Sequence, residues 1–233
     1  MIRFSVGTYN VHKCRGIDWR VRPERILKVM REMDTDILAI QEIFEEQSEC
    51  LASGLEMPHV FAPTKKVSGR KYGNAVFSRL PLLSVLNHDL TVRGREPRGC
   101  LQVEIEIARG RTIELFATHL GTSYFERKEQ GFRMVSPQII GQSGAAGRRI
   151  VAGDFNEWTR GLATRMLSQR LKSADVRLHL RRARTYPGVI PFLHLDHIYY
   201  DQAFLLVRLR LHKTPLALTA SDHLPLVADF EWP

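Results

Sequence analysis

The sequence predicts an α/β fold of the α+β kind, with mixed, mostly antiparallel sheets covered by a few helices, and three observations predict it. Short apolar, β-branched segments closed by polar residues outnumber segments with helical periodicity. Two of them, Leu101 to Ile107 and Ile113 to His119, are joined by Ala108-Arg109-Gly110-Arg111-Thr112 and read as an antiparallel hairpin, which rules out a purely parallel sheet. From Leu195 onward, Ile198 to Tyr200, the alternating Leu205 to Leu211 and Pro225 to Phe230 are all strand-like with no helix between them.

Taken in order, Phe4 to Asn10 is the first predicted strand. Pro23 then suits a first helical turn, and Ile26, Met30 and Met33 recur at helical spacing before Asp34 to Asp36 turn the chain into strand Ile37 to Glu42. Ala75 to Ser78 is a strand, followed by the hairpin. The stretch from Phe125 to Gly147 is part helix and part connection, because Gly131 and Pro137 interrupt the pattern and Gly141 to Gly147 is glycine-rich. That tract lacks the Gly-Lys-Ser/Thr ending of a phosphate-binding loop. Ile150 to Asn156 is a strand, and a helix falls within Gly161 to Ala174 with Leu162, Met166 and Leu171 as its apolar stripe. No repeat or long linker divides the chain, so residues 1–233 are expected to form one domain.

Composition narrows the class. Hydrophobic residues at 44% and charged ones at 25% exclude a disordered chain or a small disulfide scaffold. No apolar run approaches the roughly 18 residues that span a bilayer, and the opening MIRFSVGTYN is unlike a secretory signal, so a cytoplasmic location is expected. Cys14, Cys50 and Cys100 show no close pairing and are expected to be reduced. Lys and Arg total 34 against 25 Asp and Glu, a net +9 that favours polyanionic partners, nucleic acid or an acidic lipid surface. Single basic clusters, such as Lys65, Lys66, Arg70 and Lys71 or Arg177, Arg181, Arg182 and Arg184, read as ordinary solvated faces.

Polar residues recur at the strand ends: Asn10, Glu42, His119, Asp154 and Asn156, with Asp196-His197 and Asp222-His223 later. One such acid is usually a cap or a turn former, but six ends on one side of a sheet converge on one crevice. Glu, Asp and Asn oxygens suit a hard Mg²⁺ or Mn²⁺ ion, whereas zinc would want clustered Cys and His. Carboxylates, histidines and a basic field together point to hydrolysis of a phosphate ester. An extended backbone at Gly153-Asp154-Phe155-Asn156 would put Asp154 and Asn156 on one face, one to accept a proton from water and the other to hold that water or the oxyanion.

Thr8-Tyr9-Asn10, Gln41-Glu42, Gly73 to Arg79, Thr118-His119-Leu120, Gly153-Asp154-Phe155-Asn156, Leu195-Asp196-His197-Ile198 and Ser221-Asp222-His223 occur in the order expected of the endonuclease/exonuclease/phosphatase superfamily, which the chain resembles from Thr8 to Phe230. Within it the sequence is most similar to small bacterial hydrolases with a Tyr-Asn-x-His-Lys opening, here Tyr9 to Lys13, and a Thr-(Phe/Tyr)-Pro segment, here Thr185-Tyr186-Pro187. The resemblance implies a four-layer sandwich of two mixed β-sheets flanked by helices. It implies a Mg²⁺-dependent phosphoesterase, most simply a phosphodiesterase or nuclease. The alternatives are a phosphatase acting on phospholipid or inositol phosphate, or a non-catalytic phosphate-binding module.

By the same resemblance Glu42 is the principal metal ligand, with Asn10 and Asp222 completing the metal and phosphate environment. Asp154 orients or deprotonates the attacking water, and Asn156 holds it. Asp196 pairs with His223, or else ligates a second metal, and His119 touches the scissile phosphate or packs as a strand histidine. Arg98 offers a bidentate fork to phosphate. His12 is a substrate contact because it shares a strand face with Asn10, and Trp158 either stacks a base or packs. Nothing in the sequence specifies an oligomeric state.

Overall fold

The computed structural model describes residues 1–141, 148–157, 161–174, 185–187 and 193–233. Gln142 to Gly147 of the glycine-rich tract, Trp158, and the arginines at 177, 181, 182 and 184 lie outside the described residues.

Twelve strands and five α-helices are found among the described residues: β1 (Ile2–Asn10), α1 (Pro23–Met33), β2 (Ile37–Phe44), α2 (Glu45–Leu55), β3 (His59–Val67), β4 (Arg70–Ser78), β5 (Leu82–Asp89), β6 (Gly99–Ala108), β7 (Arg111–His119), α3 (Tyr124–Met134), β8 (Arg149–Asp154), α4 (Leu162–Ser168), β9 (Lys172–Ser173), β10 (Asp196–Tyr200), β11 (Leu205–Leu211), α5 (Ala217–Ala220) and β12 (Leu226–Trp232). They build two six-stranded sheets, ordered β11-β12-β1-β2-β4-β3 and β5-β6-β7-β8-β10-β9. Among the described residues only β1 with β2 and β7 with β8 run parallel, so the sheets are mixed and mostly antiparallel as expected.

Three apolar clusters make the layers. Phe4, Val6, Val76, Val103, Leu115, Ile150 and Ile198 fill the space between the sheets. Ile26, Met30 and Met33 of α1 and Leu51 of α2 cover the outer face of the first sheet against Leu38, Ile40 and Phe77. On the second sheet, Met134, Ala163 and Leu167 of α3 and α4 cover Phe116, Val151 and Tyr199. Each sheet is thus apolar on both faces, which is why its strands read as near-continuous hydrophobic runs.

Several local expectations are corrected. Gly131 does not break α3; its missing side chain lets Ala163 of α4 approach, since a Cβ there would lie 3.0 Å from the Ala163 backbone. The region after Leu195 holds a helix after all, the single turn α5 between β11 and β12. Strand β8 ends at Asp154, and Asn156 has φ 50°, so it reaches the site around a left-handed turn and not along an extended strand. His12, Lys13 and Cys14 likewise leave the β1 direction, each with positive φ, so the shared strand face assumed for His12 does not exist.

Candidate active site

Sheet register assembles the centre of the crevice. Asp154 ends β8 with His119 of β7 as its parallel partner and Asp196 of β10 as its antiparallel partner, so three of the candidate side chains stand in one row. Gly153 makes the row possible: its φ is 157°, and a Cβ would lie 1.9 Å from the Thr118 carbonyl oxygen of β7. The first sheet contributes from across the sandwich. Between Ile40 and Ile43 the β2–β4 register slips, and Glu42 sits in that bulge with φ 57°. A bulge turns a side chain out of the ordinary alternation, here into the crevice. Positive φ at His12, Lys13, Glu42 and Asn156 concentrates backbone strain around this one place.

Asn10, at the end of β1, joins the two sheets: its Nδ2 donates to Glu42 Oε1 at 3.1 Å and to Asp154 Oδ2 at 3.0 Å. Its Oδ1 accepts the His12 backbone N–H at 3.0 Å, which fixes the amide orientation. This departs from the expected metal ligation by Asn10, because the atom turned to the carboxylates is a nitrogen donor and not an oxygen.

Asp154 is buried and also accepts the Asn156 backbone N–H at 2.9 Å. Burial pushes its carboxyl well up from the usual range, and Asp196 adds to the rise against the pull of His223 and Asn10. His223 Nδ1 lies 2.9 Å from Asp196 Oδ2, and its Nε2 lies 3.6 Å from Asp154 Oδ2. Burial alone would lower its value, but Asp196 and Asp154 outweigh burial and raise it to about 10, so the ring is a cation at neutral pH. Thr185 Oγ1 accepts the backbone N–H groups of Leu195 and Asp196, which ties the Thr-Tyr-Pro segment to this dyad, and the Tyr186 ring lies 4.8 Å from that of His223.

His119 behaves oppositely. Burial, and then the adjacent Arg98, lower it to about 3, so it is neutral. Arg98 faces its Nδ1 at 3.1 Å, and its Nε2 lies 3.6 Å from Asp154 and 3.9 Å from Glu42. The open fork expected of Arg98 is therefore partly engaged, with one terminal nitrogen on His119 and the other 3.4 Å from Glu96. Asn156 Nδ2 donates to the Leu120 carbonyl at 3.0 Å and lies 3.1 Å from His119 Nε2. Burial disfavours an ionised Glu42, yet the His119 ring, charged only in the acid range where Glu42 titrates, and hydrogen bonds from Asn10 and Tyr72 prevail and hold its carboxyl at about 2. Asp222 Oδ1 lies 3.5 Å from His12 Nδ1, and Arg15 supports the other His12 nitrogen at 2.9 Å.

The structure thus brings Asn10, His12, Glu42, Arg98, His119, Asp154, Asn156, Asp196, Asp222 and His223 into one crevice. It adds Tyr72, which the sequence reading missed; its only signal was its position directly before Gly73-Asn74. Lys13 comes in as well, with Nζ 5.6 Å from the Tyr72 ring centroid.

The family model described as Endonuclease/Exonuclease/phosphatase family matches residues 7–223. Over 250 aligned residues, the Escherichia coli protein YbhP is 29% identical, covering 97% of this chain and 95% of its own. Among solved structures, the human Nocturnin catalytic domain with bound sulfate anion superposes with a TM-score of 0.78 at 23% identity, covering 100% of this chain and 94% of that one. The Bacteroides thetaiotaomicron mannosyl-6-phosphatase Bt3783 superposes with a TM-score of 0.83 at 18% identity, covering 98% and 100%.

Proposed function

The chain belongs to the endonuclease/exonuclease/phosphatase family, whose members hydrolyse phosphate esters, and we propose that it is a divalent-metal-dependent phosphodiesterase acting foremost on nucleic acid. The observation that carries this reading is the electrostatic division of the crevice. One buried carboxyl, Asp154, is raised toward a base that works near neutrality, while His223 beside it is held cationic and His119 neutral. Asp154 takes a proton from water aligned by the Asn156 side, and the water's oxygen attacks phosphorus in line. His223 and His119 offset the charge that gathers on the phosphoryl oxygens.

The donor chemistry fits a hard cation such as Mg²⁺ or Mn²⁺. Glu42, ionised and turned into the crevice by its bulge, is the oxygen ligand that suits it, with Asp222 second. Ligand atoms of Asp154, Asp196 and His223 also lie within 4.8 Å of one another, but His223 Nδ1 and Asp196 Oδ2 are already paired at 2.9 Å. When bound, the cation polarises the phosphate and relieves the leaving oxygen. A monoesterase reading is the alternative that a neighbour's name favours, since Bt3783 is a mannosyl-6-phosphatase.

A panel of plasmid DNA, single-stranded RNA, glycerophospholipid, inositol phosphates, mannose 6-phosphate and bis-p-nitrophenyl phosphate decides among these. Hydrolysis that stops with EDTA and returns with Mg²⁺ is expected, fastest on a nucleic acid. Efficient turnover of a monoester with none of any diester would replace the proposal with the monoesterase.

A further inference from the structure

Beside the catalytic residues lies a cationic flank that the mechanism leaves unused. Lys65 of β3 and Arg98, just before β6, face each other across one carboxylate: Lys65 Nζ is 2.7 Å from Glu96 Oε1, and Arg98 is 3.4 Å from Glu96 Oε2. The two cations are 22% and 10% exposed, whereas Glu96 is 60% exposed and reaches in from the connection between β5 and β6. The flank is continuous with the catalytic crevice at both ends. Lys65 Nζ and Lys13 Nζ lie 5.3 and 5.6 Å from the centroid of Tyr72, whose hydroxyl bonds Glu42, and Arg98 bonds His119. The buried Arg98 Nε has no hydrogen-bond partner among the described residues, so the guanidinium retains a donor.

We propose that Lys65 and Arg98 form a subsite for a second phosphate of the substrate, adjacent to the one cleaved, and that Glu96 occupies this subsite in the substrate-free protein. The inference rests on the phosphoesterase reading and narrows the substrate to an ester bearing at least two phosphates. Such a group belongs to a nucleic-acid strand or to a bisphosphorylated small molecule. Glu96 presents one oxygen to each cation, as two oxygens of a phosphate would. Its hold is weak, because Glu96 itself is largely exposed to competing water, and a phosphate brings more charge and more acceptor oxygens to the same donors. The acid keeps the two half-buried cations paired between turnovers, and any singly phosphorylated ligand leaves it in place.

The test measures binding without turnover. Thymidine 3′,5′-bisphosphate and the two thymidine monophosphates are titrated by calorimetry into the full chain in Ca²⁺ buffer, for wild type, Glu96→Gln and Lys65→Ala. The bisphosphate should bind at least about tenfold tighter than either monophosphate to wild type. Glu96→Gln should tighten the bisphosphate by roughly threefold or more, and Lys65→Ala should remove its advantage. Equal binding of mono- and bisphosphate to wild type, or no tightening in Glu96→Gln, overturns the subsite. Single-stranded oligothymidylate and inositol 1,4-bisphosphate tell the two sources apart: tighter binding of either by Glu96→Gln supports the subsite, and no change in both counts against it. A bisphosphate preference in a protein that hydrolyses no ester would sink the hydrolase reading and keep the subsite; turnover without that preference would do the reverse.

Discussion

Asp154 concentrates the chemistry because every neighbour acts on its proton. Burial and Asp196 favour the neutral carboxyl, while His223, Asn10 and the Asn156 N–H favour the anion. Asp154→Asn keeps the shape and removes the base, so turnover should fall by about 10²-fold or more with substrate binding retained, as steady-state kinetics would show. Wild-type turnover in a nuclease-free preparation would end the assignment. The pH dependence tests the partner. The proposed mechanism needs Asp154 ionised and His223 protonated, so the rate should rise with pH through the raised Asp154 value and fall as His223 loses its proton near 10. Asp196 is the chief group holding that proton. Asp196→Asn should therefore move the alkaline limb of kcat/KM to lower pH, by about one unit or more. An unmoved limb would detach His223 from the rate.

At the scale of elements, the site depends on two local breaks in regular structure, the Glu42 bulge of β2 and the turn that ends β8. Gly153 holds the second together, since only a residue without Cβ lets β8 lie this close to the Thr118 carbonyl. Gly153→Ala should destabilise the fold by about 3 kcal/mol and lower the melting temperature accordingly. Gly69→Ala is the control: φ there is 79°, but nothing lies within 4 Å of the added carbon, so only the backbone preference of about 1 kcal/mol is lost. Equal melting shifts in the two variants would mean that the close approach at Gly153 carries no stability. The elements that escaped the sequence reading share a cause. Helix α2 buries Gln47 and Ser48 beside Leu51, so its inward face is not apolar. Edge strand β5 leaves Leu83, Val85 and Leu86 exposed, so no alternation marks an inner face, and β3 carries Pro63.

For the whole molecule, the +9 charge acts over the field rather than at one contact. Several basic residues are already spoken for: Arg70 pairs with Glu46, Lys71 with Glu45 at 2.9 Å and Arg149 with Asp201 at 2.7 Å. A nucleic-acid substrate should nevertheless bind with steep salt dependence, each neutralised phosphate adding about 0.7 to 0.9 to the slope of log K against log salt. Fluorescence anisotropy with labelled single- and double-stranded DNA over a salt series measures that slope. A flat response together with efficient turnover of a small phosphate compound would favour the monoesterase. No helix among the described residues is long and apolar enough to cross a membrane.

Sequence alone determined most of the sheet-forming segments, though not β3, β5 or β9, together with α1 and the acidic and histidine residues of the crevice, because apolar period and residue chemistry are local properties written in consecutive positions. Pro23 and the Ile26–Met30–Met33 stripe marked a helix whatever its neighbours, and Asp154 had to be an oxygen donor in any fold. Tertiary structure decided everything that depends on two segments meeting. Parallel register set His119 beside Asp154, a bulge aimed Glu42, Asn10 came to face two carboxylates with its nitrogen, and Tyr72 reached Glu42 from a neighbouring strand. Arg98 shows the difference most plainly. Its charge was legible, but its attachment to His119 and Glu96 arises only when β6, β7 and the connection before them pack, because a hydrogen bond needs a partner within about 3 Å and a linear chain does not say which partner that is.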